Sequence, residues 1–402
     1  MTALAPQADF DIAIVGGGPV GLACAGWLAS HWGKHAHRIA VFDAKPLEQA
    51  TQDSRVLALS HATRLRLEGL GFPQQATPIH HIHVSEQGCF GQVRMSHTEL
   101  GLPALGWTVR YGDLVQTLAH AVQKKGVTFF RPAHVQPANG QQGQFVPPPE
   151  TLCLRDGSQY TTGLRIDAEG GQFGHSAQRD HSTDYQQWAL VAEIDAHLET
   201  AFNHAGQTVA FERFTDQGPL ALLPIANPAT ASGRAAYSLV WCASQQEVER
   251  RLQAPESGFV QELQRRFGRR VGFARVRNRL AFPLGMNWRS QLVEGKQVRI
   301  GNAAQILHPV AGQGLNLGLR DAWALSRLLA PPHNLQQALH QFQQERHSDR
   351  QAVLKATDWM VRGFGQSNPL VALGRQAGLN AMEYTPFLRQ QFAQFMLFGW
   401  QG

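Results

Sequence analysis

The feature that most constrains this chain is a glycine pattern near its start. Gly16, Gly18 and Gly21 form G-x-G-x-x-G within GGGPVG. Before it lies FDIAIV (Phe10 to Val15), a short apolar, β-branched run that reads as a buried strand. After it, VGLACAGWLAS (Val20 to Ser30) has the small and apolar residues of a helix packed tightly on a sheet. RIAVFD (Arg38 to Asp43) reads as a second strand, so the N-terminus predicts one βαβ unit. Gly16 suits the tight turn, Gly18 lets the backbone approach a pyrophosphate, and Gly21 permits close helix–sheet packing. The helix start adds free N–H groups and a positive dipole end. Asp43 stands 22 residues beyond Gly21, where a carboxylate accepts hydrogen bonds from an adenosine ribose. A glycine-rich turn without a ligand would not bring strand, helix, spacing and acid together. The pattern fits FAD and NAD equally well.

Other classes are set aside by composition. The 402 residues predict two or three domains at roughly 150 residues each. Hydrophobic residues are 43% and charged residues 16%, which supplies real cores and argues against general disorder. The formal charge is +6, but the basic residues are scattered, so no nucleic-acid partner is expected. Cys24, Cys89, Cys153 and Cys242 form no CxxC pair and read as reduced thiols. No apolar run reaches the roughly 18 residues of a membrane span, and no secretory signal opens the chain. A cytoplasmic protein, soluble or peripheral on the inner face of the membrane, is expected. His80, His81 and His83 suggest a metal site at first sight. On a strand only His81 and His83 would share a face, and no acid or cysteine lies near, so no metal is expected.

A second glycine-led segment lies far from the first, in GNAAQILHPVAGQGLNLGLRD (Gly301 to Asp321). It reads as a strand end over Val298 to Gly301, a crossing loop, and a long helix starting near Gly314 that Pro331 and Pro332 stop. Gly312 and Gly314 would let backbone N–H groups face a flat ring, with the positive helix end beneath it. Such an end stabilises a flavin that becomes anionic when reduced. Asn302 can hydrogen-bond a ribityl hydroxyl. His308 could orient or deprotonate a phenol, or serve simply as a loop histidine bonded to backbone.

This segment resembles the second flavin-binding fingerprint of flavoprotein monooxygenases of the para-hydroxybenzoate hydroxylase type. Gly301-Asn302, where most members have Gly-Asp, followed by Ala303-Ala304-Gln305 and Leu307-His308-Pro309, is similar to the ubiquinone-biosynthesis hydroxylases. Asp53 to Leu59 resembles the D-x-R-x-x-A-L stretch of that family, which implies that Arg55 lies over the cofactor. His83 to Gly91, Phe211 to Phe214, Gly218 to Pro224 and Leu239 to Trp241 resemble its substrate sheet. Gln344 to Arg350 and Arg375 to Leu379 resemble its C-terminal helices. Two features depart from the pattern. Ala168-Glu169-Gly170 stands for Ala-Asp-Gly, and Ser-x-x-Arg comes late, at Ser176 to Arg179.

The resemblance implies a mixed α/β fold with three regions. A Rossmann-like FAD domain is expected over 1–78, 107–183 and 284–331. An interleaved antiparallel substrate domain is expected over 79–106 and 184–283, and a helical region over 332–402. The implied cofactor residues are Gly16, Gly18, Pro19, Gly21, Asp43, Arg55, Gly301, Asn302, Pro309, Gly312, Gln313, Gly314, Leu315 and Asn316. The implied chemistry is monooxygenation of a polyprenylated (methoxy)phenol of ubiquinone biosynthesis. FAD is reduced by NAD(P)H bound transiently, and O2 is taken up as a C4a-hydroperoxide. Other outcomes of the same fold are hydroxylation at another ring position or of a soluble phenol, flavin-dependent reduction of isoprenoids, and a non-catalytic role in a quinone-biosynthesis complex. Leu388, Phe392, Phe395, Met396 and Trp400 recur near helical spacing. They fit either a membrane- or partner-facing helix or one docked on the body.

Overall fold

FDIAIV forms β1 (Phe10–Val15), whose last four residues are buried, and the glycine turn delivers the chain into α1 (Pro19–Trp32). β2 (Ile39–Phe42) then returns parallel to β1, with Ile12 opposite Ile39 and Val15 opposite Phe42. This unit sits in a seven-stranded sheet with β8 (Thr128–Phe130), β9 (Glu150–Cys153), β10 (Gln159–Asp167), β16 (Val293–Glu294) and β17 (Gln297–Arg299). The order is β16-β17-β10-β1-β2-β8, with β9 beside β10. One sheet therefore gathers strands from widely separated parts of the chain. A computed structural model describes residues 8–89, 91–136, 150–170, 180–198, 207–226, 235–268, 271–365 and 369–399. Phe90, the Pro147–Pro149 run, Ser176 to Arg179 and Trp400 lie outside the described residues.

α1 is buried along nearly all its length because α4 (Tyr111–Lys124) and α7 (Gln313–Leu328) pack on it. Leu22, Trp27, Leu28, Leu114, Leu118, Leu319 and Leu325 share the resulting core. Each such side chain contributes roughly 1.5–3 kcal/mol by leaving water. Beside this core lie α2 (Leu47–Thr51), α3 (His61–Leu67) and a small sheet of β3 (Val56–Ser60), β7 (Gly106–Arg110) and β4 (Thr77–Ile79).

The second large sheet has eight strands. In order they are β18 (Gln305–Ile306), β15 (Val271–Trp288), β11 (His181–Leu198), β14 (Ala235–Ala243), β13 (Gly218–Ile225), β12 (Val209–Thr215), β5 (His81–Glu86) and β6 (Gln92–Ser96). Neighbours run antiparallel except β12 and β5. One face is covered by α5 (Gln245–Gln253) and α6 (Glu256–Phe267). There Ile194, Phe211, Leu220, Leu239 and Trp241 meet Val248, Phe259, Leu263 and Phe267. Side chains alternate along a strand, so the residues between these turn to the opposite face.

α8 (Leu335–Gly365), α9 (Pro369–Tyr384) and α10 (Pro386–Phe398) end the described chain. α8 is tied to α7 by a buried ionic cluster. Arg346 donates to Asp321 at 2.7 Å, and Arg320 donates to Asp349 at 3.0 Å. α10 docks on the body through Ala393 and Leu397, while Phe387 and Leu388 at its start are exposed. No helix among the described residues is long and apolar enough to cross a membrane. Two boundaries of the second glycine-led segment differ from expectation. β17 stops at Arg299 because Gly301 turns to φ +58° in a 3₁₀ turn, and α7 begins at Gln313 rather than Gly314.

Candidate functional site: two glycine-led helix starts and an apolar sheet face

The C-terminal ends of β1, β2, β8 and β10 converge on the first glycine turn, the edge where open α/β sheets take ligands. Gly16 adopts φ +112°, and its N–H donates to Phe42 O at 2.7 Å. A Cβ there would stand 2.7 Å from the Ala168 carbonyl and the Glu169 nitrogen. A Cβ on Gly21 would fall on the Gly16 carbonyl oxygen. These two glycines are therefore required by backbone approach alone. Gly18 differs. It has ordinary extended backbone as the N-cap of α1, and its Cβ would meet only the Tyr111 hydroxyl, at 3.1 Å. No side chain caps α1, and Pro19 follows, so the free N–H groups of its first turn face the turn's mouth.

Asp43 follows β2 directly. Its carboxylate accepts from the Gly17 and Lys45 backbone N–H groups, and Arg131 lies 3.5 Å away. Arg131 also donates to Gly17 O at 3.3 Å. Sequence reading missed Arg131. The available signal was its place immediately after a strand, the same relation that singled out Asp43. Tyr111 was missed too; Arg55 lies over its ring at 5.0 Å. Arg55 is held in a two-pronged ion pair with Asp53, with Nη2 donating to Oδ2 at 2.6 Å. The Glu169 carboxyl is raised above its ordinary value, first by partial burial and then by Asp167 and Asp43.

The second helix start lies across α1. A Cβ on Gly318 would stand 2.9 Å from the Gly301 Cα, and one on Gly301 would press on Val20. The absence of side chains lets α7 and α1 close on each other here. Gly312 is the N-cap of α7 in the left-handed region at φ +61°, again with no side-chain cap. The backbone N–H groups of Gln313, Gly314 and Leu315 thus open the helix as α1 opens. Gln313 is buried and donates to Met396 O at 3.2 Å. Asn316 is buried and fully engaged by protein. It accepts from Ser60 N (2.9 Å) and Thr63 Oγ1 (2.8 Å), and donates to Ala58 O and Gly312 O (both 3.0 Å). Its side chain fixes the helix start to β3. Pro309 precedes the 3₁₀ turn Val310–Gly312 that leads into α7.

His308 sits in the same loop, 1% exposed. Nδ1 accepts from Val310 N at 3.3 Å, which places the proton on Nε2, and Nε2 donates to Gln187 Oε1 at 3.0 Å. Burial holds its pKa down at about 4. The ring is neutral with both nitrogens engaged, one by backbone and one by a side chain. The other histidines singled out are also engaged: His80 by Thr208, His81 by Gln207 and His83 by Gln92.

The face of the eight-stranded sheet opposite α5 and α6 meets this loop. Phe214 of β12 packs with Val310 and with Val361 of α8, and Val84, Tyr185 and Met360 line the same cluster. Val84 and Ile82 continue it into a second cluster with Val93, Met95, Leu379, Phe392, Leu397 and Phe398. This face is apolar, and α9 and α10 cover part of it. Two uncapped, glycine-led helix starts are the groups that could hold a flavin dinucleotide.

The comparisons agree with this geometry. The FAD-binding domain family matches residues 9–357. The ubiquinone hydroxylase of Rhodospirillum rubrum is 30% identical over 400 residues, covering 95% of this chain and 88% of that protein. The 3-demethoxyubiquinol 3-hydroxylase of Escherichia coli is 29% identical over 409 residues, covering 96% and 98%. Among solved structures, p-nitrophenol 4-monooxygenase of Pseudomonas putida shares the fold with a TM-score of 0.73 at 14% identity, covering 97% and 98%. On the extent of the family match and the near full-length likeness to a ubiquinone hydroxylase, the chain belongs to the FAD-binding domain family and is an FAD-dependent flavoprotein monooxygenase.

Proposed function

We propose that the chain hydroxylates a phenol ring that carries a polyprenyl tail, methoxylated or not, in the making of ubiquinone. The observation that carries this reading is the apolar sheet face on which α8, α9 and α10 pack. Apolar side chains of this kind suit a polyprenyl tail, which a soluble aromatic acid lacks. The ubiquinone-pathway relatives support the same assignment.

The residues that hold FAD in this reading are those of the two glycine-led starts. Gly16 and Gly21 let strand and helix close, and Gly18 and Pro19 leave N–H groups open to the pyrophosphate. Asp43 faces the ribose and Arg55 lies over the cofactor. Gly301, Asn302, Pro309 and Gly312 to Asn316 frame the ribityl chain and ring, with Asn316 acting through its hold on the helix start. When bound and reduced by NAD(P)H, FAD supplies the activation of O2 for insertion of one oxygen atom into the ring. The chain itself positions the ring, excludes water and sets the local potential. We divide it accordingly into the discontinuous FAD region 1–78, 107–183 and 284–331, the substrate region 79–106 and 184–283, and the helices of 332–402. A lipidic substrate places the enzyme against the inner face of the membrane, alone or within a quinone-biosynthesis complex.

The test is mass spectrometry of quinone-pathway lipids from cells lacking the chain. A prenylated phenol short of one hydroxyl should accumulate and disappear on return of the wild type, but not of Gly18→Val. Normal ubiquinone with no such intermediate overturns the substrate assignment.

A further inference from the structure

Glu212 is an acid to which the proposed function gives no role. It lies on β12 between Phe211 and Arg213, both of which turn toward α6. Phe211 joins the core under the helices, and Arg213 donates to Arg266 O at 2.8 Å and to Ser85 Oγ at 3.1 Å. Alternation therefore turns Glu212 to the opposite face, the face of Phe214. Phe214 touches Val310 in the loop before α7, and Val84, the register partner of Glu212, packs in both apolar clusters on this face. Its antiparallel partner on β13 is Ala221, whose small side chain leaves room beside the carboxylate.

Among the described residues no donor lies within hydrogen-bond distance of this carboxylate. The titratable groups around the space are few. Glu86 lies on β5, Cys242 on β14, Asp358 on α8 and His308 in the loop. Asp358 is taken by Tyr185 and Arg362, and His308 by Gln187 and Val310. Among the described residues no cation reaches Glu212. A carboxylate in an apolar wall without a protein partner is costly unless a ligand brings the donor.

We propose that Glu212 receives the hydroxyl of the phenol. The inference rests on the phenol reading given above. The ring lies against this sheet face with its O–H donating to the carboxylate and its tail along the apolar side chains. As the ring is oxygenated, the phenolic proton passes to Glu212. When the newly hydroxylated carbon releases its hydrogen as a proton to solvent and the ring regains aromaticity, the acid returns the phenolic proton to the same oxygen. Glu212 is unchanged over the cycle, and the ring has exchanged one C–H for C–OH at the expense of O2 and NAD(P)H, with water released. Burial raises the Glu212 carboxyl to about 7, close to the pH at which a base of this kind works best.

The test uses the full chain loaded with FAD, with 2-geranyl-6-methoxyphenol as probe, and compares wild type, Glu212→Gln and Glu212→Asp. Visible spectra establish that each variant holds flavin. Wild-type hydroxylation should rise with pH through about 7. Glu212→Gln should lower it about 100-fold and lose that limb. Glu212→Asp should restore part of the rate together with the limb. A Glu212→Gln protein that hydroxylates at the wild-type rate with the same pH limb overturns the Glu212 assignment alone. A flavin-loaded wild type that oxidises NAD(P)H yet makes no hydroxylated product removes the phenol reading, and the assignment falls with it.

Discussion

Gln187 Oε1 lies 3.0 Å from His308 Nε2, and with Val310 N bound at Nδ1 this leaves the imidazole no free nitrogen. Its pKa, held near 4 by burial, lies below that of an unfolded histidine, about 6.5. Between those values the unfolded chain binds the extra proton, so stability should fall as pH drops from 6.5 toward 4. The span is on the order of 3 kcal/mol. His308→Asn, which keeps an acceptor for Val310 N, should flatten the fall of Tm over that range while leaving the pH dependence of turnover in place. Thermal melts and rate profiles across the same buffers check both. Loss of the turnover limb in this variant would make His308 the base after all.

Much of this was legible because backbone geometry at the glycine turns leaves few substitutes. Gly16, Gly21, Gly301 and Gly312 stand where a side chain would strike backbone or where φ is positive, and a sequence records such demands directly. The βαβ unit and the helix of Gly314 follow from the same cause. What periodicity did not reveal depends on contacts distant in sequence. Arg131 reaches Gly17 and Asp43 from the end of another strand, and Asn316 is committed to β3 more than 250 residues away. The unpartnered carboxylate of Glu212 also escaped, since β12 alternation shows which face a residue takes but not what covers that face.

The glycines of the first turn separate folding from cofactor binding. Gly21→Ala places a methyl on the Gly16 carbonyl, and the turn cannot move without disturbing the Gly16 contact with Ala168. A loss of about 3 kcal/mol, at the upper end for overpacking, is expected with or without FAD. Gly18→Val meets only a hydroxyl at the end of Tyr111, so the apoprotein should melt within a few degrees of wild type while FAD retention collapses. Melting temperatures of apo and FAD-loaded forms distinguish the two. Equal apo-protein destabilisation by both substitutions would refute the division.

Asn316 should behave as a clamp on the start of α7. Replacing it with Ala strands the Ser60 N–H and the Thr63 hydroxyl in the core and frees Gly312 O. Roughly 3 kcal/mol of stability should go with them. Asn316→Asp keeps the two acceptor contacts but turns a charge toward the Ala58 and Gly312 carbonyls, so it should be no better than Ala. Chemical denaturation gives the stabilities, and FAD titration should show weaker binding in both variants. Wild-type stability in Asn316→Ala would mean that the helix start is held by other contacts.

Glu212 carries a stability cost whose sign differs from that of a paired carboxylate. Its folded-state pKa, about 7, lies above the ordinary glutamate value of 4.5, so the folded chain binds more protons than the unfolded chain between these values. Stability should therefore fall as pH rises from 4.5 through 7, and the full cost, on the order of 3 kcal/mol, is present by pH 8. Glu212→Gln cannot ionise and should melt several degrees higher than wild type at pH 8, with the two curves meeting near pH 4.5. That is the pattern of a group kept for its chemistry at the expense of the fold. Melts of the ligand-free protein between pH 4.5 and 8.5 measure it. A Glu212→Gln protein less stable than wild type at pH 8 would show that the carboxylate is compensated within the chain and has no need of a substrate hydroxyl.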